Sequence, residues 1–140
     1  MKFGPSIVTD NLIFAVDAAN PDSYISGSTI WKDQTVNQNN GTLTNGPTFD
    51  SSDGGSIVFD GTDDYVIIGN PTELQINGDT SVSAWIKTSS NTTQAIFSKN
   101  DGTNNSYLFY LSAGKPAMVI WTTDSSTFSQ TVSATTIGNG

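Results

Sequence analysis

Residues 107–121 read YLFYLSAGKPAMVIW. Aromatic and branched apolar residues fill the two ends of this stretch, and the segment SAGKP separates them. Such residues favour β-strands, and a short connection with Gly and Pro between two such runs is typical of a β-hairpin. We therefore predict two antiparallel strands, Tyr107–Leu111 and Ala117–Trp121, joined by a five-residue loop, Ser112–Pro116.

Short apolar runs of the same kind occur along the rest of the chain. Turn-forming pairs such as Asn-Gly, Asp-Gly and Gly-Gly lie between them, and no window of helical length carries an apolar stripe with a period of about 3.6 residues. Further strands are predicted at Leu12–Val16, Ser56–Phe59, Tyr65–Ile68, Ser81–Lys87, Ala95–Ser98 and Thr127–Val132, and around Thr29–Trp31 and Gly41–Leu43. The chain is therefore predicted to be all-β, a two-sheet antiparallel β-sandwich.

The composition excludes several classes of site. The chain has 13 Asp and Glu residues against 5 Lys and Arg residues, and it contains neither His nor Cys. This excludes a Ser-His-Asp or Cys-His nucleophile system, a His/Cys zinc site and a disulfide framework. The net charge of -8 and the wide spacing of the lysines argue against nucleic acid or an anionic membrane as a partner, because both require clustered cations.

The C-terminal end of the chain indicates an incomplete sheet. The last apolar run stops at Val132, and residues 137–140 read IGNG, which is typical of a turn that leads into another strand. We therefore expect residues 1–140 to form one domain that lacks its C-terminal strands, or a sheet that another chain completes. Because open sheet edges pair with other chains, we expect a homotrimer or an assembly on a larger lattice rather than a monomer.

Three segments carry a resemblance to a known family. They read LIFAVDAANP at residues 12–21, SIVFDGTDDYV at residues 56–66 and SVSAWIK at residues 81–87. In this order they resemble laminin-G-like domains of the concanavalin A-like lectin/glucanase superfamily. The resemblance implies a concanavalin A-like jelly roll over residues 1–140. The strand with Trp and His and the Asp-Gly hairpin that usually follow in the family are absent, in keeping with missing C-terminal strands.

The opening of the chain carries a second, looser resemblance. Residues 5–12 read PSIVTDNL and are similar to the start of laminin-G-like proteins of tailed bacteriophages, marine ones especially. This implies a structural protein of the virion surface, a capsid decoration or a fibre component, that is extracellular after lysis. Its partners would be other virion proteins or copies of itself, with a cell-surface glycan as a further candidate. The alternative is a carbohydrate-binding module of a secreted bacterial enzyme or adhesin.

Catalysis is not expected, although some members of this superfamily cleave β-glucans. Glycoside hydrolysis needs two carboxyl groups that face one bond, and the superfamily's hydrolases carry them on alternate residues of one strand. Glu73 is the only glutamate, and no two acidic residues are separated by a single residue. We therefore predict that the chain is not an enzyme, and a glucanase is the least favoured of three hypotheses.

The segment Asp60-Gly61-Thr62-Asp63-Asp64 has two interpretations. Asp60, Asp63 and Asp64 are candidate calcium ligands, because Ca²⁺ prefers carboxylate and carbonyl oxygens. Alternatively, Asp60 and Asp63 cap backbone N–H groups of a tight turn, which is the interpretation we favour. Asp17 and Asp33 form a second acidic pair, for which a structural role is favoured more strongly. Calcium aside, no cofactor is expected.

The large aromatic residues are predicted to have different roles. Trp85 lies in an alternating run and is predicted to be in the core, and Trp31 is predicted to anchor a polar loop. Tyr110 and Trp121 lie on the facing strands of the predicted hairpin. These two are the candidate sugar-binding aromatics, because a flat ring covers the apolar C–H face of a pyranose.

Overall fold

A computed structural model describes residues 9–76, 78–100, 105–121, 128–135 and 137. The ordered segments within these ranges are nine β-strands and two 3₁₀ turns. The prediction of an all-β chain is therefore confirmed, and no described segment forms a helix that could reach across a lipid bilayer. The chain divides into two compact units, Met1–Leu74 and Gln75–Gly140. Three predicted features lie partly outside the described residues. They are the opening of the chain (residues 5–8), the first residue of the strand predicted at Thr127–Val132, and the terminal turn (residues 138–140).

The first unit contains two small antiparallel sheets. Strands β1 (Ile30–Trp31), β2 (Gly41–Thr44) and β5 (Tyr65–Ile67) form one sheet in the order β1-β2-β5. Strands β3 (Thr48–Asp50) and β4 (Ser56–Val58) form a hairpin. Four of these five strands coincide with predicted ones. β3 was not predicted, because a three-residue strand with one apolar residue shows no alternation.

The predicted strand at Leu12–Val16 is absent, so this prediction is wrong. Its backbone groups bond to a loop instead of to a strand: the Ala15 N–H donates to the Asp33 carboxylate at 3.0 Å, and the Gln34 N–H donates to the Ala15 carbonyl at 2.8 Å. Side chains from the loop also contribute, since Asn37 Nδ2 donates to the Ile13 carbonyl at 2.9 Å. The apolar run Leu12–Val16 is therefore held by hydrogen bonds to a loop and does not pair with a β-strand.

The second unit is a four-stranded antiparallel meander. Its strands are β6 (Gln94–Asn100), β7 (Asn105–Ser112), β8 (Lys115–Trp121) and β9 (Phe128–Val132), in the order β6-β7-β8-β9. The predicted hairpin is confirmed, but its loop is shorter than expected. Only Ala113 and Gly114 lie between β7 and β8, and both have positive φ, 49° and 74°. Two positive φ values match the twist of the flanking strands, as in a type I′ turn.

Strand β7 is the most buried strand of this sheet. Leu111 has no exposed surface, and its sequence neighbour Tyr110 is 9% exposed. Because consecutive side chains of a strand point to opposite faces, both faces of β7 are covered at this position. Tyr107 is buried as well and stacks on Phe97 of β6, with ring centroids 5.6 Å apart. This burial raises the pKa of the Tyr107 hydroxyl.

The predicted strand at Ser81–Lys87 does not form, and the prediction that Trp85 lies in the core is wrong. These residues adopt no regular secondary structure, and the Trp85 side chain is 101% exposed. An alternating pattern becomes a strand only where a neighbouring strand takes up its backbone N–H and C=O groups. That condition depends on distant residues, so the local pattern did not decide the outcome.

Gly41 of β2 is the position where the first sheet tolerates a side chain least. An ideal Cβ at Gly41 would lie 2.5 Å from Cγ1 of Val66 on the neighbouring strand β5. Gly41→Ala is therefore expected to lower the free energy of unfolding by about 1–2 kcal/mol, because Val66 is stiff and must move. Urea denaturation followed by circular dichroism measures the change.

Gly78→Ala is the matched control for this prediction. A Cβ at Gly78 would meet no described atom within 4 Å, so a change within about 0.5 kcal/mol is expected. Equal losses in the two variants would contradict the close approach of β2 and β5 at Gly41.

Candidate functional site

The acidic turn Asp60–Asp64 connects the segment after β4 to β5. Gly61, with φ of 75°, allows the chain to reverse. The Asp60 carboxylate accepts hydrogen bonds from the Thr62 N–H at 2.8 Å and from the Asp63 N–H at 3.3 Å. The Asp64 carboxylate accepts from the Asp60 N–H at 2.9 Å. Asp60 therefore caps the turn as the sequence predicts, and Asp64 provides the second cap that was expected of Asp63.

The electrostatics of the turn follow from these bonds. Hydrogen bonds to the carboxylate, that from the Thr62 N–H first, lower the pKa of Asp60 below its usual value. A backbone N–H stabilises the ionised form of a carboxylate and not the protonated form. Asp60 is therefore negatively charged at neutral pH.

The three carboxylates of the turn also lie close enough to share a cation. One oxygen from each of Asp60, Asp63 and Asp64 falls within 4.8 Å of the others. Calcium ligands lie about 2.3–2.6 Å from the ion, so two oxygens on one ion are separated by up to about 5 Å. The spacing is compatible with the calcium prediction, which stays a prediction. Saturable amide shifts of residues 60–64 on titration with calcium chloride would support it, and their absence would contradict it.

Removal of the Asp60 carboxylate is expected to open the turn. In Asp60→Ala, hydrogen exchange at the Thr62 and Asp63 amides should become faster, because both lose their acceptor. Asp63→Ala is the matched control, since the Asp63 contact to Asn45 is made by the backbone carbonyl and survives the substitution. Amide exchange measured by NMR compares the two variants. Unchanged rates in Asp60→Ala would contradict the capping role.

The two candidate sugar-binding aromatics lie on one face of the second unit's sheet. Tyr110 belongs to a buried cluster with Ala117 and Val119, and the half-buried Trp121 packs against this cluster. The Tyr110 hydroxyl is hydrogen-bonded to Nε2 of Gln130. The structure thus brings both residues together, with Tyr110 buried and Trp121 half-buried. Sugar binding by this pair stays a prediction.

Asp33 is a buried acidic residue of the first unit, and it has the structural role that the sequence favours. It is 6% exposed and accepts hydrogen bonds from the N–H groups of Ala15 (3.0 Å), Thr35 (3.0 Å) and Asn39 (2.9 Å), and from the Thr35 hydroxyl (2.7 Å). Burial by itself would raise the pKa of Asp33, but the hydrogen bonds outweigh burial and lower it. Asp17 caps its own turn, accepting from the Ala19 N–H at 2.9 Å. The sequence signal for Asp33 was the Asp-x-Thr spacing, which is typical of local side chain–backbone bonding.

The distribution of acidic residues on the strands limits the chemistry of the fold. Among the nine described strands, only β3 contains an acidic residue, Asp50. No described strand therefore carries two carboxylates on one face. The polar side chains of the described strands are therefore mainly hydroxyl and amide groups.

Comparisons with known proteins agree with this fold. A laminin-G-type family model, described as the Concanavalin A-like lectin/glucanases superfamily, matches residues 60–139. Among solved structures, the chain is similar to part of an S-layer domain-containing protein from Clostridium thermocellum, with a TM-score of 0.65 and 22% sequence identity. The similarity covers 85% of this chain and 57% of that one, and at this identity it shows the fold alone. No curated protein sequence matches significantly.

Proposed function

The chain belongs to the concanavalin A-like lectin/glucanase superfamily, and from this we propose that it is a non-catalytic binding module of a tailed-phage particle, a capsid decoration or a fibre component. Its proposed place is the virion surface, and its proposed partners are other virion proteins or copies of itself, together with a neutral glycan of the cell surface. The distribution of carboxylates carries the non-catalytic part of the proposal, and the similarity of residues 5–12 to phage proteins supports the location.

The carboxylates of the chain are poorly suited to glycoside hydrolysis. The general acid of a glycosidase needs a raised pKa so that it holds a proton at neutral pH. The pKa of Asp60 is lowered instead, and so is that of Asp33. Both carboxylate oxygens of Asp33, and Oδ1 of Asp60, accept hydrogen bonds from backbone N–H groups. These observations support a chain that binds a saccharide without cleaving it.

Copy number would make such a module effective. Single protein–sugar contacts are weak, and many linked copies on one particle raise the overall affinity by orders of magnitude. The net charge of -8 keeps exposed copies from associating nonspecifically with nucleic acid released at lysis. A surface rich in hydroxyl and amide side chains is suited to hydrated protein contacts and to sugar hydroxyls.

Mass spectrometry of purified particles tests the location. Virions from an infected culture are banded in a density gradient, and peptides of the chain are quantified in the particle band and in the soluble lysate. The proposal expects peptides to follow the major capsid protein through the gradient. Their recovery in the soluble fraction alone would contradict it, and would favour the alternative, a carbohydrate-binding module of a secreted bacterial enzyme or adhesin.

Incubation with β-glucans tests the absence of catalysis. Barley β-glucan and laminarin are incubated with the protein, and reducing ends are measured against a known glucanase. No release above the protein-free control is expected. Reproducible turnover that Asp60→Ala abolishes would overturn the non-catalytic assignment.

A further inference from the structure

The first unit contains a cleft that the sequence did not indicate. Its volume is about 540 Å³, within the range of about 300–1,000 Å³ that is typical of small-molecule sites. One wall is the loop after Tyr24, residues 26–29, and the other is the turn between β2 and β3, residues 45–47, with Thr48 at the start of β3. All of its lining residues belong to the first unit. Tyr110 and Trp121 belong to the second unit.

The apolar part of the cleft includes two aromatic rings beside Leu43 and Pro47. Tyr24 and Phe49 both line it, and their rings are tilted by 35° with centroids 5.4 Å apart. The Tyr24 ring is held in place, since it is buried and its hydroxyl donates to the Ser28 carbonyl at 2.9 Å. Phe49 is half-buried, so part of its ring remains accessible. The accessible part of the Phe49 ring, supported from behind by Tyr24, is suited to the apolar face of a ligand.

The polar part of the cleft is uncharged. Ser26, Asn45 and Thr48 line it with exposed side chains, and none of its lining residues, all within the described range 9–76, carries a charge. The acidic turn adjoins one wall, because Asn45 Nδ2 donates to the backbone carbonyl of Asp63 at 2.8 Å. Anions would be repelled by this turn, and a cation would find no counter-charge in the cleft itself.

We propose that this cleft binds a neutral saccharide, with the accessible part of the Phe49 ring, held in place by its contact with Tyr24, against a sugar ring, and with Ser26, Asn45 and Thr48 bonded to its hydroxyls. Aromatic rings beside uncharged hydroxyl and amide groups match a pyranose, whose one face is apolar and whose rim is hydroxylated. The inference rests on the glycan-binding part of the proposed function and gives that function a place in the fold.

An NMR titration of the ¹⁵N-labelled chain tests the cleft. Maltotriose, cellotriose and triacetylchitotriose are the neutral probes, and sialyllactose is the acidic one. At least one neutral probe is expected to shift the amides of residues 26–29 and 45–49, with a Kd on the order of 1 mM. Sialyllactose is expected to bind at least about tenfold more weakly, because its carboxylate approaches the acidic turn.

Two arginine variants distinguish a blocked cleft from a general effect of the substitution on the fold. Ser26→Arg places a long side chain in the cleft and is expected to weaken binding by about tenfold or more, whereas Ser51→Arg, at an exposed position outside the cleft, should leave it unchanged. Phe49→Leu keeps the apolar volume but removes the ring, so it should also weaken binding. Equal effects of Ser26→Arg and Ser51→Arg would overturn the inference.

The location of the shifts separates this inference from the proposed function. Shifts confined to residues around Trp121 would overturn the cleft and leave a glycan-binding module intact. No shift with any probe would overturn the cleft together with the glycan-binding part of the function. The virion location would then be judged by the particle measurement alone.

Discussion

Leu111→Ala is expected to lower the free energy of unfolding by about 3 kcal/mol. Leu111 has no exposed surface and lies on β7, the strand whose two faces are both covered. The substitution removes buried methyl groups and leaves a cavity that the neighbouring strands fill only in part. Urea denaturation followed by circular dichroism measures the loss, which should shift the midpoint without changing the slope.

Ile120→Ala on β8 is the matched control. Ile120 is also a branched apolar residue within the sheet, but it is 42% exposed. Because much of its surface already contacts water, its truncation is expected to cost less than about 1 kcal/mol. A loss at Ile120 equal to that at Leu111 would contradict the burial of Leu111 in β7.

Asp33→Ala is expected to have an effect of similar size in the first unit. The substitution removes one carboxylate and leaves the N–H groups of Ala15, Thr35 and Asn39 without their acceptor. Hydrogen bonds to a charged group contribute about 1.5–3 kcal/mol each. The three donor residues are only half-buried, so water can replace part of the lost bonding, and a net loss of about 3 kcal/mol is expected. Chemical denaturation measures this change.

Asp17→Ala is the control for Asp33. Asp17 is exposed, and its carboxylate accepts from the Ala19 N–H within its own turn. Its removal should therefore cost less than about 1 kcal/mol. If the two alanine variants were equally stable, the network around Asp33 would not hold the first unit together.

The contribution of Asp33 is also expected to depend on pH. The pKa of Asp33 is lower in the folded chain than its ordinary value of 3.8, so the ionised form stabilises the folded state. This stabilisation is fully present above the unfolded value, near pH 4, and is lost as the pH falls through the folded-state pKa. The difference in unfolding free energy between the natural chain and Asp33→Asn should therefore shrink below about pH 4. A difference that stays constant down to about pH 2 would contradict the lowered pKa.

The acidic turn and the hairpin were predictable because their partners are close in sequence. The bonds of Asp60 reach at most four residues along the chain, and Ala113 and Gly114 reverse it within two residues. The Asp33 network was not predictable to the same degree. Its donor at Ala15 is 18 residues away, and no local pattern indicates which backbone N–H a distant carboxylate will meet.

The amino-acid sequence by itself determined the all-β class, the hairpin of residues 107–121, the capped acidic turn and the exclusion of His- and Cys-based chemistry. Each of these follows from composition or from partners only a few residues apart. Tertiary structure alone decided that Ser81–Lys87 leaves Trp85 in solvent, that Asp33 holds a buried network, and that Tyr24 and Phe49 meet in a cleft. The physical reason is that ladder bonding, burial and ring contact all require a second segment, whose position in space depends on the packing of the chain and not on local sequence.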